Sequence, residues 1–567
     1  MKKDLDSLRH SASHVLAQAV LELYPKTKLA IGPAIENGFY YDFDTKKPFS
    51  PEDLQKIEKK CLEIIKSNLK IKKSLKTKAE AKKILEDQPY KLELLEELKG
   101  KPSFYEQGDF IDLCAGPHVS STGEIKAFKL LSIAGAYWRG DSKRKMLQRI
   151  YGTAFYDKKE LRSYLFMLEE AKRRDHKKLG EELDLFSFHE EGPGFPFFHP
   201  KGMIIYNELV NFWKQIHKKW KYQEIKTPII LNKALWLKSG HWDHYKENMY
   251  FTKIDKKDYA VKPMNCPGGI LVYKSRLHSY KEFPLRLGEL GLVHRHELSG
   301  VLNGLFRVRS FIQDDAHIYC TEKQLQDEII GVIELSKEIY KAFNLDYELE
   351  LSTRPEKAIG TKQMWDNAES SLEKALKKLK LPFKLNPGDG AFYGPKIDFH
   401  IKDSLGRKWQ CGTIQVDFSM PEKFELEYDG KDGRKHRPVM IHRAILGSLE
   451  RFLGILIEHY AGKFPLWLSP TQVKIITVTD RSNKFAEELK EKLEENNIRV
   501  ELDSRHESIS KKVRDAQKEK INYMITIGDK EIQSKKLAIR TREGKVSFNN
   551  SIDKFIKDIQ KEILEKK

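Results

Sequence analysis

The side chains able to do chemistry in this 567-residue chain gather in a few short runs. The densest, HRHELSGVLNGLFRVRSFIQDDAHIY (His294 to Tyr319), holds three arginines, three histidines and two adjacent aspartates among Leu, Val, Phe and Ile. Strand-like runs flank LSGVLNG, whose Ser, Gly and Asn mark a loop. A hairpin there would bring Arg295 and Arg307 to one face, and fixed guanidiniums suit phosphate or carboxylate oxygens. The common backbone cradles for phosphate are missing, since there is no GxxxxGK[ST] loop and no strand-linked GxGxxG. A nucleotide bound here would therefore be held by side-chain cations. Arg451 is a third candidate, in IHRAILGSLERFLGILIEHY, which reads as an apolar helix interrupted by Arg443, Glu450 and Arg451. Taken alone, a mid-helix arginine reads first as a solvated or Glu-paired residue.

A second set lies near the N-terminus. HSASH places His10 and His14 four apart, on one face of a helix. DLCAGPH places Cys114 and His118 four apart, with Asp112 just upstream. HxxxH with CxxxH is a possible tetrahedral metal set. The plainer reading is that two of the four are purely structural.

The elements that must position these groups are readable in outline. SLRHSASHVLAQAVLELYP reads as an amphipathic helix stopped by Pro25. FYYDFD reads as a strand, and SPEDLQKIEKKCLEIIKSN as a helix capped by Ser50 with Pro51 in its first turn. DKKELRSYLFMLEEAKRRDHKKLGEEL reads as a rigid helical connector. A long block dense in aromatics follows, and from SPTQVKIITVTD onward strands and helices alternate as in a small α/β domain with a mostly parallel sheet.

Composition bounds the possibilities. The length implies three or four domains. Hydrophobic residues make up 40% of the chain, enough for globular cores. The formal charge of +19 fits a polyanionic partner, nucleic acid first, and fits lysine-rich surface filler equally well. Five scattered cysteines with no CxxC pair argue against a disulfide framework and for a reducing compartment. No leader-like apolar segment opens the sequence and no apolar run approaches a membrane span, so a cytoplasmic protein without membrane contact is expected.

Taken together the motifs resemble a known family. HRHELSG…FRVRSFIQDD is similar to motif 2 of the class II aminoacyl-tRNA synthetases and GSLERF to motif 3, while GMIIYNELVNFWKQIHKKWKYQEIKTP resembles motif 1, the helix and strand of that class's dimer interface. MNCPGG, QDDAHIY, FYGPKIDF, WQCGTIQVDFSMP and HRAILGSLERF resemble the threonyl branch of the class, in its order. The resemblance implies a multidomain α/β protein: an α+β editing domain over residues 1–157, a helical linker over 158–182, a catalytic domain built on an antiparallel sheet over 183–468, and an α/β anticodon-binding domain over 469–567. It implies a homodimer that activates L-threonine with ATP and transfers it to tRNA(Thr). Two departures stand out. The ubiquitin-like domain found ahead of the editing domain in bacterial relatives has no counterpart here, and His506 stands where relatives often have Asn.

Residue by residue, the resemblance implies that Arg295 binds the α-phosphate and the amino-acid carboxylate, that Arg307 and Arg451 clamp the outer phosphates, and that Glu297 contacts the adenine side. Lys396 would add a cation near the α-phosphate, Gln313 and Tyr393 would orient the substrate, and Asp315 would pair with its ammonium. Met264, Gln410, Thr413 and Ser448 would complete the substrate and ATP sites, with Mg²⁺ accompanying ATP. Cys266, His317 and His442 would hold one Zn²⁺ that takes threonine by its amino and hydroxyl groups. One thiolate and two imidazoles suit Zn²⁺, and three protein ligands leave room for substrate. Valine would be rejected for want of the hydroxyl, whereas serine lacks only a methyl group, worth roughly 10- to 200-fold. A second sieve is then needed, and the family assigns it to His10, His14, Asp112, Cys114 and His118, assisted by Lys91 and Tyr41, without a metal. Glu531, Arg540 and His506 would face anticodon bases. Two other readings of the sequence are activation of proline or serine and a non-catalytic tRNA-binding module. A free-standing deacylase would account for the first 160 residues alone.

Overall fold

A computed structural model describes residues 4–566. The chain forms two compact units, Met1–Glu169 and Glu170–Lys567, and the division falls inside the helix Lys158–Arg173.

In the first unit, the helix Leu5–Leu23 begins where the Asp4 carboxylate accepts from the Asp6 N–H at 3.1 Å and ends at Tyr24, before Pro25. Leu8, Val15, Leu16 and Val20 are fully buried, so this helix is the spine of the core rather than a surface element. The helix Pro51–Lys66 packs beside it and starts at Ser50, the expected cap, which here exchanges hydrogen bonds with Asp53. Strand Gly38–Asp44 pairs antiparallel with Met146–Phe155, which pairs with Ala127–Tyr137. A second sheet joins Ile71–Leu75, Ser103–Gln107 and Phe110–Leu113. The last of these strands delivers Asp112 and leads into Cys114.

The second unit opens with a correction. The connector is two helices, because Asp175 stops the first and caps a second, His176–Glu182, by accepting from the Lys177 and Lys178 N–H groups. The central sheet has eight strands in the order Gln223–Glu224, Leu285–His294, Ser310–Cys320, Val439–Ser448, Lys408–Asp417, Lys396–Lys402, Asp346–Ser352, Phe383–Asn386. Its interior pairings are antiparallel and only the outermost pair at each edge is parallel. The helices Pro200–Lys219, Leu325–Ala342 and Leu449–His459 bury their apolar faces in its main core.

IHRAILGSLERFLGILIEHY is not one helix. Val439–Ser448 is a central strand, and a helix starts only at Leu449, where Ser448 caps the Arg451 N–H at 3.0 Å. A strand covered on both faces loses its polar alternation and reads as a continuous apolar run. Gly447, at φ 76°, and the capping serine mark the switch.

The C-terminal sheet runs Val500–Asp503, Val473–Thr477, Tyr523–Ile527, Lys536–Thr541, Val546–Ser551. The first three strands are parallel and the last two pair antiparallel, so the sheet is mixed rather than mostly parallel. The cause is local: only a few residues, including Gly544 at φ 91°, separate the last two strands, too few for a parallel crossover. Among the described residues no helix is long and apolar enough to cross a membrane.

Candidate functional site

The chemistry of the second unit converges on one cavity of about 460 Å³ over the central sheet. Its wall brings together Met264, Cys266, Arg295, Glu297, Arg307, Gln313, Asp315, Tyr393, Gln410, Thr413, His442, Ser448 and Arg451, residues far apart in sequence. Strand register does most of this. His317 lies directly opposite His442 and Asp315 opposite Ala444, while Cys266 opens the helix Cys266–Lys274 at the edge of the cavity. The ligating atoms of Cys266, His317 and His442 all lie within 4.8 Å of one another, and all three residues are buried.

This donor set fits a metal ion. His442 is held through Nε2, 2.8 Å from the Asp417 carboxylate, which itself accepts from the Ser419 and Met420 N–H groups. That leaves His442 Nδ1 as the free donor, the arrangement in which a carboxylate orients a ligating imidazole. His317 Nε2 is buried without a hydrogen-bond partner, a lone pair that burial would otherwise penalise. Burial pushes the Cys266 thiol well above its ordinary range, with Asp315 and Asp417 adding to the effect, and burial holds His317 well below its own. Without a cation beside them, burial keeps these groups uncharged.

The cations line the same cavity. Arg295 Nε donates to the Pro263 carbonyl at 3.1 Å and its guanidinium lies 5.0 Å from the Phe311 ring centre. Arg307 pairs with Glu297 at 2.9 Å. Arg451 Nη1 donates to the Phe306 carbonyl at 3.2 Å, and its Nε is buried and unpartnered. Both Arg295 and Arg307 sit outside the strands Leu285–His294 and Ser310–Cys320, in the loop between them. Lys396 does not line this cavity: its ammonium is held by Asp398 at 2.5 Å and Asp389 at 3.2 Å. Burial lowers its pKa, but these carboxylates outweigh that and keep it raised.

The adjacent aspartates part company at a bulge between Gln313 and Asp315. Asp314 turns into the core and accepts from the Ile445 and Leu446 N–H groups at 2.9 and 3.0 Å. Asp315 faces the cavity, and burial raises its carboxyl to about 7. A cationic group arriving beside it would return it to the charged form.

In the first unit, all seven expected residues meet. Cys114 Sγ lies 3.2 Å from His10 Nε2 and 3.3 Å from His118 Nε2, and the ligating atoms of His10, His14, Cys114 and His118 lie within 4.8 Å of one another. Asp112 is fixed below them by Lys91 at 2.7 Å and by the Tyr41 hydroxyl at 2.7 Å. Burial lowers His10, lowers His14 strongly and takes His118 to about 2, while it raises the Cys114 thiol to about 11. Burial thus favours neutral imidazoles around a protonated thiol, groups that can accept hydrogen bonds from a water molecule and orient it.

In the C-terminal domain, Glu531 caps its own helix through the Gly528 N–H at 3.0 Å. Arg540 lies on the strand Lys536–Thr541, and His506 is exposed in the loop after Val500–Asp503.

Family models match the chain in three places: the second additional domain of threonyl and alanyl tRNA synthetases over residues 103–151, the class II core domain of the Gly, His, Pro, Ser and Thr tRNA synthetases over 250–460, and an anticodon-binding domain over 472–562. A threonine–tRNA ligase of Clostridium tetani is 61% identical over 567 residues, 99% of this chain and 89% of the relative. The chain belongs to the threonine–tRNA ligase family. A threonine–tRNA ligase of Carboxydothermus hydrogenoformans matches with 61% identity over 566 residues, again 99% of this chain and 89% of the relative. Among solved structures, the RNA binding domain of threonyl-tRNA synthetase from Cryptosporidium parvum is 41% identical with a TM-score of 0.67, over 68% of this chain and 98% of that one.

Three further residues lie in or beside this cavity without having been expected there. Gln415 and Arg443 line the cavity, Gln415 tied to the Gly394 carbonyl at 2.9 Å and Arg443 buried against Asp314 and Tyr222. His241 is fully buried, with Nε2 3.1 Å from Met264 Sδ and 3.9 Å from Cys266 Sγ, and burial lowers it to about 3. A histidine in KSGHWDHYKEN carries no spacing signal that would single it out.

Proposed function

We propose that this chain joins L-threonine to tRNA(Thr) in two steps and hydrolyses Ser-tRNA(Thr) at a separate site. The observation that carries the reading is the shared cavity, in which a thiol–imidazole set and a group of guanidiniums face the same 460 Å³. Cys266, His317 and His442 would hold one Zn²⁺, and that ion would supply a Lewis-acidic centre suited to the amino and hydroxyl groups of threonine. Asp315 accepts from the substrate ammonium, and Gln313 and Tyr393 orient the amino acid. Met264 and Thr413 border it, and Gln410 and Ser448 supply polar contacts.

Arg295 grips the threonine carboxylate and the α-phosphate together, which holds nucleophile and electrophile in line. As the carboxylate oxygen attacks, the bond from the α-phosphorus to pyrophosphate breaks and charge accumulates on the non-bridging and leaving oxygens. Arg295, Arg307 and Arg451 stabilise that charge without reorganising, together with the Mg²⁺ that accompanies ATP. Glu297 exchanges its contact with Arg307 for the adenine side of the nucleotide. Lys396 acts from the rim, released from Asp398 and Asp389 when a phosphate competes for it. The terminal ribose hydroxyl of tRNA then attacks the acyl carbon and AMP leaves.

At the second site His10, His14, Cys114 and His118 hold the seryl ester and orient water, and Lys91, Asp112 and Tyr41 fix the floor of the pocket. Glu531, Arg540 and His506 face the anticodon. The enzyme works as a homodimer in the cytoplasm.

The test pairs metal analysis with ATP–pyrophosphate exchange. Wild type contains one zinc per chain and exchanges with threonine, more weakly with serine and negligibly with valine. Cys266→Ser loses zinc and threonine-dependent exchange together. Normal exchange by a zinc-free Cys266→Ser protein would refute the assignment.

A further inference from the structure

His176 has no part in the sites described above, yet it touches the loop that lines the nucleotide cavity. It opens the helix His176–Glu182 and is 1% exposed. Its backbone N–H and its Nδ1 both meet Glu458 Oε1, at 3.0 and 2.7 Å. On the far side of the ring, Nε2 accepts from the Leu305 N–H at 3.0 Å. An acceptor at Nε2 needs a lone pair there, so the ring carries its proton on Nδ1 and points it at Glu458. The other oxygen of Glu458 pairs with Arg407, so the carboxylate has a separate counter-charge.

Leu305 belongs to the loop between strands Leu285–His294 and Ser310–Cys320, two residues before Arg307. Leu305 and Phe306 are buried and line the cavity. The Phe306 ring lies 4.0 Å from the His176 ring and 4.3 Å from the Trp409 rings, centre to centre, and its carbonyl takes the bond from Arg451. Gly304, at φ 49°, passes so close that a Cβ there would stand 2.2 Å from His176 Nε2. The loop is thus drawn onto the imidazole by one hydrogen bond and one ring contact. That fixes the backbone from which both Arg307 and the acceptor of Arg451 are presented.

We propose that His176 is a positioning residue for the ATP site: its Nε2 anchors the loop at Leu305 and so aims Arg307 and Arg451 at the outer phosphates. The proposal rests on the reading of those arginines as phosphate clamps. Asparagine places its amide near the position of Nδ1 and keeps the Glu458 contact, whereas glutamine reaches the position of Nε2 and can accept from the Leu305 N–H. In threonine-dependent ATP–pyrophosphate exchange, His176→Gln keeps the KM for ATP within about threefold of wild type and His176→Asn raises it about tenfold or more, while the KM for threonine stays unchanged in both. A purely structural anchor acting through Glu458 predicts the reverse order, which would overturn the proposal, as would three equal values of KM for ATP. Arg307→Ala, measured alongside, separates the two readings. If its KM for ATP is normal, the phosphate-clamp reading fails and takes the proposal with it. If it is raised while that of His176→Asn is not, the proposal alone fails. Should His176→Asn not fold, hydrogen exchange of the wild type decides: the Leu305 amide exchanges far more slowly than that of exposed Gly300, and equal rates refute the anchor.

Discussion

The Lys91–Asp112 pair beside the His10, His14, Cys114 and His118 cluster offers a quantitative test of how the first unit is held. Lys91 and Asp112 are 4% and 1% exposed, and the ammonium touches both carboxylate oxygens, at 2.7 and 2.9 Å, while the Tyr41 hydroxyl donates to one of them at 2.7 Å. In Lys91→Met the side-chain volume is nearly kept, but a desolvated carboxylate is left with a phenol as its chief partner. Removing one member of a buried pair costs about 3–5 kcal/mol, because the remaining charge is uncompensated. Adding Asp112→Asn removes that charge and keeps an acceptor for Tyr41, so the double variant should recover to within about 1–2 kcal/mol of wild type. The double variant is then about 1–4 kcal/mol more stable than Lys91→Met, a recovery that independent positions, whose effects simply add, would not give. Native-state hydrogen exchange on the amides of Leu5–Leu23 and Gly38–Asp44 reads the opening of this unit without requiring the whole chain to unfold in one step. Threonine-dependent exchange of pyrophosphate stays normal, and Ser-tRNA hydrolysis falls with the single variant. If Lys91→Met opens no more readily than wild type, or if the double variant is no better than the single, the carboxylate is not a buried charge balanced by Lys91 and the account of the pocket floor fails.

Two further outcomes test the same unit. His10→Ala, which removes the imidazole 3.2 Å from the Cys114 thiol, should leave threonine charging intact and slow Ser-tRNA hydrolysis roughly 100-fold or more; unchanged hydrolysis would count against the pocket. Burial lowers His14 strongly and takes His118 to about 2, so below the ordinary pKa of histidine the unfolded chain binds protons that the folded one refuses. Stability of the unit is therefore fully present above about pH 6.5 and declines as pH falls below it, by up to about 1.4 kcal/mol per pH unit for each histidine. Opening free energies measured by hydrogen exchange at pH 7.5, 6.0 and 5.0 check this, and a flat profile would contradict it.

What the sequence could and could not disclose follows from how each site is assembled. The cluster of the first unit was legible because its pairs are local: His10 with His14 one helical turn apart, and Cys114 with His118 across a short loop. The metal set was not, since 51 and 125 residues separate Cys266, His317 and His442. What joins them is the antiparallel register that puts His317 opposite His442, a long-range fact that no local spacing encodes. The same limit misread Ile441–Tyr460 as one helix, because a strand buried on both faces shows no alternation. Asp314 and Asp315 look equivalent in the sequence, yet a single bulge sends one to cap backbone amides in the core and the other into the cavity. His176 makes the point most sharply. In the sequence it is one histidine in the charged run RRDHKKLGEE, where a solvated face is the natural reading, yet in the fold it is 1% exposed and bonded to a loop 129 residues away. Residues that touch substrate can be named by the chemistry they perform, whereas those that aim them can be found only through the backbone groups they satisfy. A buried N–H such as that of Leu305 must find an acceptor somewhere, so tracing each such donor in the cavity wall to its partner is the general route from a catalytic site to the side chains that set its geometry.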